Sequence, residues 1–292
     1  MKNLFSRIVA IATGGESGTT GDLFWHFLDG TLSIKGTGAM PDYNAKNIPW
    51  YSLRKAITNV VISDGISNIG VKAFFKCSGI TSAVIPDSVV RIGRSAFSGC
   101  QGLTSVAIPN SVTTLDYGAF YNCGLTEVTI PNSVTEIADG SFFRCKDLTS
   151  VTLSQSITTI HTKTFYGCRS LTAALVPCSV TLIRNGAFSG CRNLKFVFLP
   201  DSLTEIRGAV FAGCHSLNTI TIPASVTAIS FWAFADCHSL KKIINHATTP
   251  QTIDINVFDK VDKTACTLCV PADSVDAYQN AEVWKEFIIE GM

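Results

Sequence analysis

A phenylalanine with a cysteine three residues after it returns at an almost fixed interval through this chain. The phenylalanines are Phe74, Phe97, Phe120, Phe142, Phe165, Phe188, Phe211 and Phe234; the cysteines are Cys77, Cys100, Cys123, Cys145, Cys168, Cys191, Cys214 and Cys237. The interval is 23 residues with one step of 22, because Leu125 follows Cys123 by two positions where the other units use three. A period in this range restricts the fold more than composition does. One such unit cannot bury its own apolar side, whereas stacked copies bury a continuous one.

Within a unit, apolar residues fall three, six and eight positions after the cysteine, as in Leu103, Val106 and Ile108. This L-x-x-L-x-L spacing is that of the strand in leucine-rich repeats. Proline follows the strand at Pro86, Pro109, Pro131, Pro177, Pro200 and Pro223, with Ser63 and Ser154 standing in its place elsewhere. Proline has no N–H for a ladder, so the row marks a strand boundary. A second apolar pair such as Val112 and Leu115 leads to the Ala-Phe-x-x-Cys corner. Ser88, Ser111, Ser133, Ser156, Ser179, Ser202 and Ser225 each come two residues after the proline position. They read as groups that fix the turn locally. Thr113, Thr135, Thr158, Thr181, Thr204 and Thr227 read as solvated strand surface. The expected fold is a β-rich repeat solenoid, a right-handed leucine-rich repeat coil of about eight 23-residue repeats with N- and C-terminal caps.

The unit I-P-x-S-V-T-x-I-x-x-x-A-F-x-x-C-x-x-L-T resembles that of the BspA-like leucine-rich repeat family of bacterial-type cell-surface proteins. It reads from Ile57 to Ile243. Two flanks look like family features: Leu32 to Met40 with Asp42-Tyr43 and Pro49-Trp50, and Thr267 to Pro271 with Ala277-Tyr278 and Trp284 to Phe287. The resemblance implies adhesion to host or neighbouring-cell proteins and an extracellular or cell-surface location, with the cytoplasm as the alternative. It specifies a fold and leaves the ligand open.

The expected division is a tail (1–21), an N-terminal cap of β-hairpin plus short helical turn (22–56), the repeats (57–245) and a C-terminal cap (246–292). Thr13 to Gly21 is rich in Gly, Thr and Ser and reads as a flexible lead-in. Asp29-Gly30 marks a hairpin turn. Asp273 to Phe287 reads as one terminal helix with Val275, Tyr278, Val283, Trp284 and Phe287 on its apolar face. Trp25, Trp50 and Trp284 suit segments that cover the end coils. In Met1 to Ala12, only five apolar residues follow Arg7. An export signal needs roughly 7–15, so the stretch reads as an incomplete signal or a disordered tail. No run of about 20 apolar residues exists, so no membrane-spanning helix is expected.

The net charge is +1 and only 15% of residues are charged. Lys and Arg are scattered, which argues against nucleic acid or an anionic membrane as partner. Eleven cysteines suggest a disulfide framework, yet eight hold one position in successive units and read as a row of buried, reduced thiols.

Candidate chemistry is sparse. Cys266-x-x-Cys269 is half of a zinc spacing without its second half, and reads as strand packing. His215 and His238 lie in register and read as solvated turn residues in preference to a metal pair. His161 has no evident nucleophile beside it. Neither an enzyme, a metal nor a cofactor is expected. The outward strand positions, five and seven after each cysteine, are mostly small or polar, but Leu175, Phe196 and Phe198 are apolar. These three are the first candidate ligand-binding residues; Phe231 and Trp232, where other units carry pairs such as Asn185-Gly186, are the second. The expected function is non-catalytic binding of a protein or glycan, host extracellular-matrix or surface proteins among them. Self-assembly through the apolar patch is the alternative, with a hydrolase site assembled across coils behind it. Oligomeric state is left open.

Overall fold

A computed structural model describes residues 15–292. The reading of Met1 to Ala12 therefore lies outside the described residues. The chain forms two compact units that meet in sequence at Cys145 and Lys146, and each is a stack of β-solenoid coils.

In the first unit, three antiparallel strands open the stack: Glu16–Thr20, Leu23–Leu28 and Thr31–Lys35. Asp29 and Gly30 both have positive φ, 46° and 79°, which is the backbone that a two-residue hairpin turn requires. Glu16–Thr20 corrects the expected flexible lead-in. Its Ser17, Gly18, Thr19 and Thr20 pair residue by residue with His26, Trp25, Phe24 and Leu23, so ladder hydrogen bonds override weak strand propensity. Strand Thr31–Lys35 then pairs in parallel with Asn59–Ile62, and that with Ser82–Val84. A second parallel row runs through Ile66–Ile69, Arg91–Ile92, Thr114–Leu115 and Glu136–Ile137.

The second unit repeats the plan. Ala173–Leu175 pairs in parallel with Phe196–Phe198. Thr159–Ile160, Leu182–Ile183, Glu205–Ile206 and Ala228–Ile229 form the second row. Thr219–Ile222, Lys242–Asn245, Thr267–Val270 and Ile288–Gly291 close the stack as a four-stranded parallel sheet.

The period places identical side chains over one another. In the first unit Trp50, Phe74, Phe97, Phe120 and Phe142 stack with centroids 5.0–6.0 Å apart. In the second, Phe165, Phe188, Phe211, Phe234 and Phe258 stack at 5.4–5.7 Å. All are fully buried, and such ring pairs add about 0.5–1.5 kcal/mol each beyond area burial. The proline carbonyls accept turn-closing bonds, as from Val112 N–H to Pro109 at 3.1 Å and Leu203 N–H to Pro200 at 3.0 Å.

The serine row behaves differently from the local reading. Ser88, Ser111, Ser179 and Ser202 donate to Ile66, Val89, Ile157 and Val180 carbonyls of the preceding coil at 2.6–2.9 Å. They tie coil to coil. Thr113, Thr181 and Thr204 do the same from exposed positions, at 3.2–3.4 Å.

The terminal helix is shorter than expected. Only Val275–Asn280 is α-helical; Ala281 is extended and Val283 has φ 69°, so a new 3-10 turn begins at Trp284–Glu286. After the break, Trp284 and Phe287 both pack on the ring of Phe258, at 5.5 and 5.0 Å. The break also frees Ile288–Gly291 to become the last strand.

Candidate functional site

The outward face of the strand row carries the first candidate. Along Phe196–Phe198 the alternation of a strand sends Val197 into the core and both phenylalanines out. Leu175, Phe196 and Phe198 are 61%, 54% and 43% exposed, while Ala174 and Val197 beneath them are buried. The register sets Leu175 directly beside Phe198 and Ala173 beside Phe196. At a strand spacing of about 4.8 Å, the leucine and phenylalanine side chains form one contiguous apolar surface. At the same offsets in the flanking coils stand Ser150 and Thr152, and Thr219 and Thr221, so small polar residues rim the patch.

Phe231 and Trp232 stand elsewhere on the coil, in the corner after strand Ala228–Ile229. Both are half exposed and pack edge to face at 5.5 Å. The Phe231 ring lies over Gly208, where a Cβ would sit 2.7 Å from it. Trp232 has φ 57°, and its N–H donates to Asn256 Oδ1 at 3.2 Å. The two candidate sites thus occupy different rows of the coil.

Two surface features, one exposed and one half-buried, escaped the sequence reading. Val61 and Val84 pair in register on the outward strand face of the first unit. They occupy the positions that Leu175 and Phe198 hold in the second. Tyr121 stacks on Phe143 at 4.8 Å, one residue beyond the buried phenylalanine ladder. The offset rule that singled out Leu175 would have found Val84, seven residues after Cys77; its β-propensity disguised it as ordinary strand.

The cysteines settle into two environments. Among the described residues all eleven are free thiols, and Cys178 alone is exposed. The row thiols donate to the phenylalanine carbonyl of the preceding coil: Cys100 to Phe74, Cys123 to Phe97, Cys191 to Phe165 and Cys214 to Phe188, at 3.0–3.3 Å. Burial pushes the Cys77, Cys191 and Cys237 thiols up to about 12. Such groups are inert as nucleophiles at neutral pH. Cys266 and Cys269 are buried in and beside strand Thr267–Val270, and burial raises Cys266 to about 11. His215 and His238 do lie one coil apart, with Asp236 between them.

The repeat unit is also found by comparison with known families. A profile described as "BspA type Leucine rich repeat region" matches in six copies, over residues 46–123, 67–195 and 181–273. Among solved structures, a leucine-rich repeat protein from Bacteroides ovatus superposes with a TM-score of 0.70 at 25% identity, covering 86% of this chain and 70% of the other. A leucine-rich repeat protein from Eubacterium ventriosum gives a TM-score of 0.55 at 24% identity, covering 89% and 82%. No curated protein matches. A repeat profile that spans most of the chain, on a stack built from that same repeat, places it in the BspA-type leucine-rich repeat family.

Proposed function

We propose that this protein is a non-catalytic recognition scaffold of the cell surface and that it binds a protein ligand through the outward face of its second unit. The observation that carries this reading is the contiguous, exposed surface of Leu175, Phe196 and Phe198 on an otherwise small and polar strand face. Contiguous apolar surface of this kind marks interaction sites, and aromatic anchors supply most of the contact energy at them. The surface location rests on the resemblance to cell-surface relatives. Host extracellular-matrix and surface proteins, or surface glycans, are the ligand classes that the resemblance brings forward.

The test is a double substitution, Phe196→Ser with Phe198→Ser, set against Val197→Ser. The double variant should keep its thermal transition, since exposed changes usually stay within about 0.5 kcal/mol. It should lose binding when immobilised and probed with a panel of extracellular-matrix proteins and surface glycans. Val197→Ser should instead destabilise the fold, because it buries an unsatisfied hydroxyl. Retained binding in the double variant would place the ligand on another face.

Self-association through the same patch is the second reading. It is favoured by the contiguity of Leu175 with Phe198, which is as suitable for a second copy as for a different protein. Light scattering over a concentration series separates the two: a ligand-binding monomer keeps its mass, and a self-assembling chain does not.

A further inference from the structure

Two imidazoles and a carboxylate converge at the corner of two successive coils in the second unit. His215 and His238 each follow a row cysteine, so the repeat itself stacks them, with ring centroids 5.3 Å apart and planes inclined by 37°. Asp236 precedes Cys237 and has φ 63°, the left-handed backbone that this corner position also takes at Lys76, Asn122 and Arg144. That backbone aims the carboxylate between the rings: Oδ2 lies 3.5 Å from His215 Nε2, and Oδ1 lies 3.0 Å from His238 Nε2. Donor atoms of the three residues all lie within 4.8 Å of one another. The position of Asp236 is a glycine, Gly213, one coil earlier, so no side chain stands between His215 and the carboxylate.

The geometry points to a binding site for a divalent transition-metal ion, Zn2+ being the best fit, with His215 Nε2, His238 Nε2 and one Asp236 oxygen as ligands. At bonds of about 2.0–2.1 Å, tetrahedral zinc holds its ligand atoms roughly 3.3–3.5 Å apart. The two N–O separations here, 3.5 and 3.0 Å, run to different Asp236 oxygens, and all three donor atoms lie within 4.8 Å of one another, so side-chain rotation at this exposed corner closes them on one ion. Two imidazoles and a carboxylate suit Zn2+, Ni2+ and Cu2+, whereas Mg2+ and Ca2+ require oxygen donors. His238 Nδ1 lies 3.4 Å from the Lys260 carbonyl. Donation of Nδ1–H to that carbonyl leaves Nε2 as the bare donor, which is the outer hydrogen bond that metal-binding histidines use.

Lys260 is the competitor. Its Nζ lies 3.5 Å from Asp236 Oδ1, on a side chain that is mostly exposed. An exposed pair of this kind contributes little against two imidazole bonds to a metal, so the ammonium is displaced into water. Three protein ligands at a half-exposed corner leave the remaining coordination positions open to water.

Calorimetric titration of the full chain with ZnCl2 decides it. A Cys178→Ser background removes the one exposed thiol from competition. One ion should bind per chain, and His215→Gln and His238→Gln should each weaken it by about tenfold or more, as loss of metal-site partners does. In the unsubstituted chain, Zn2+ should move the imidazole NMR signals of His215 and His238 and leave His26, His161 and His246 in place. This readout stands even if a glutamine variant misfolds. Absence of binding at about 1 mM Zn2+, binding in both glutamine variants as tight as in the parent chain, or Ca2+ bound as tightly as Zn2+ would each overturn the site.

Discussion

The row cysteines do more than fill space. Each buried thiol that donates to a phenylalanine carbonyl of the coil before it satisfies a main-chain acceptor at the crowded corner. Cys191→Val would keep the volume and remove one of the two donors to the Phe165 carbonyl, which still accepts from the Cys168 N–H at 3.2 Å, so it should cost only about 0.5–1.5 kcal/mol in urea unfolding. Thiol reagent should modify one cysteine of the native protein, Cys178, and all eleven after denaturation. The pH response follows from the raised values. An unfolded thiol loses its proton near 9.0, while folded Cys191, Cys77 and Cys237 hold theirs to about 12. Between those limits the unfolded state binds fewer protons, so stability is complete below pH 9 and falls as pH rises, by about 1.4 kcal/mol per unit for each such thiol. A urea midpoint that stays level from pH 8 to pH 10 would show that the row is not buried. The place of each cysteine was legible from the period alone. Its donor role was not, because the acceptor is a main-chain atom 26 residues away that only the stacking brings near. The serine row was misread for the same reason: the carbonyl it reaches lies 22 residues back, in the coil below.

At the scale of elements, the C-terminal segment is bound to the stack by specific contacts. Trp284 Nε1 donates to the Gln251 carbonyl at 2.8 Å, and Tyr278 Oη donates to the Ala247 carbonyl at 2.9 Å. Strand Ile288–Gly291 covers the edge of Thr267–Val270. Deleting residues 273–292 would therefore expose both the ring of Phe258 and an unpaired strand edge, the combination that drives edge-to-edge aggregation. The truncated chain should precipitate or lose its cooperative thermal transition; a soluble truncation with an unchanged midpoint would refute the capping role. Phe165→Ala, inside the ladder, should cost about 3–5 kcal/mol without aggregation at room temperature. The apolar spacing of Val275, Tyr278, Val283, Trp284 and Phe287 did announce a buried segment, but it fits a broken turn as well as a helix. What decides between them is the fit of Trp284 and Phe287 around Phe258, a tertiary contact without a local signal. The outward positions of Phe196 and Phe198 were legible because strand alternation is strict once the inward triplet is fixed.

The molecule as a whole carries almost no net charge. With 23 basic and 22 acidic residues and a pI near 7.5, it has little long-range repulsion between copies at neutral pH. An exposed apolar patch on such a chain meets a second copy without an electrostatic barrier, so attraction through Leu175, Phe196 and Phe198 should be strongest near pH 7.5. Below a pI of about 7.5 the chain gains positive charge as the pH falls, and copies repel. Light scattering at fixed concentration should accordingly show a second virial coefficient that is lowest near pH 7.5 and rises towards pH 5.5, with the rise reduced by about 0.5 M salt, where the screening length is only a few ångströms. The patch is tested separately from the charge. Phe196→Ser with Phe198→Ser leaves net charge untouched, so it should raise the virial coefficient at pH 7.5 while preserving its slope with pH. If the double variant scatters like the unsubstituted chain at every pH, the strand face is not adhesive and recognition must be sought at Phe231 and Trp232 or on the Val61 and Val84 face. If the slope with pH vanishes as well, the association runs through titrating side chains and the apolar reading of this surface fails.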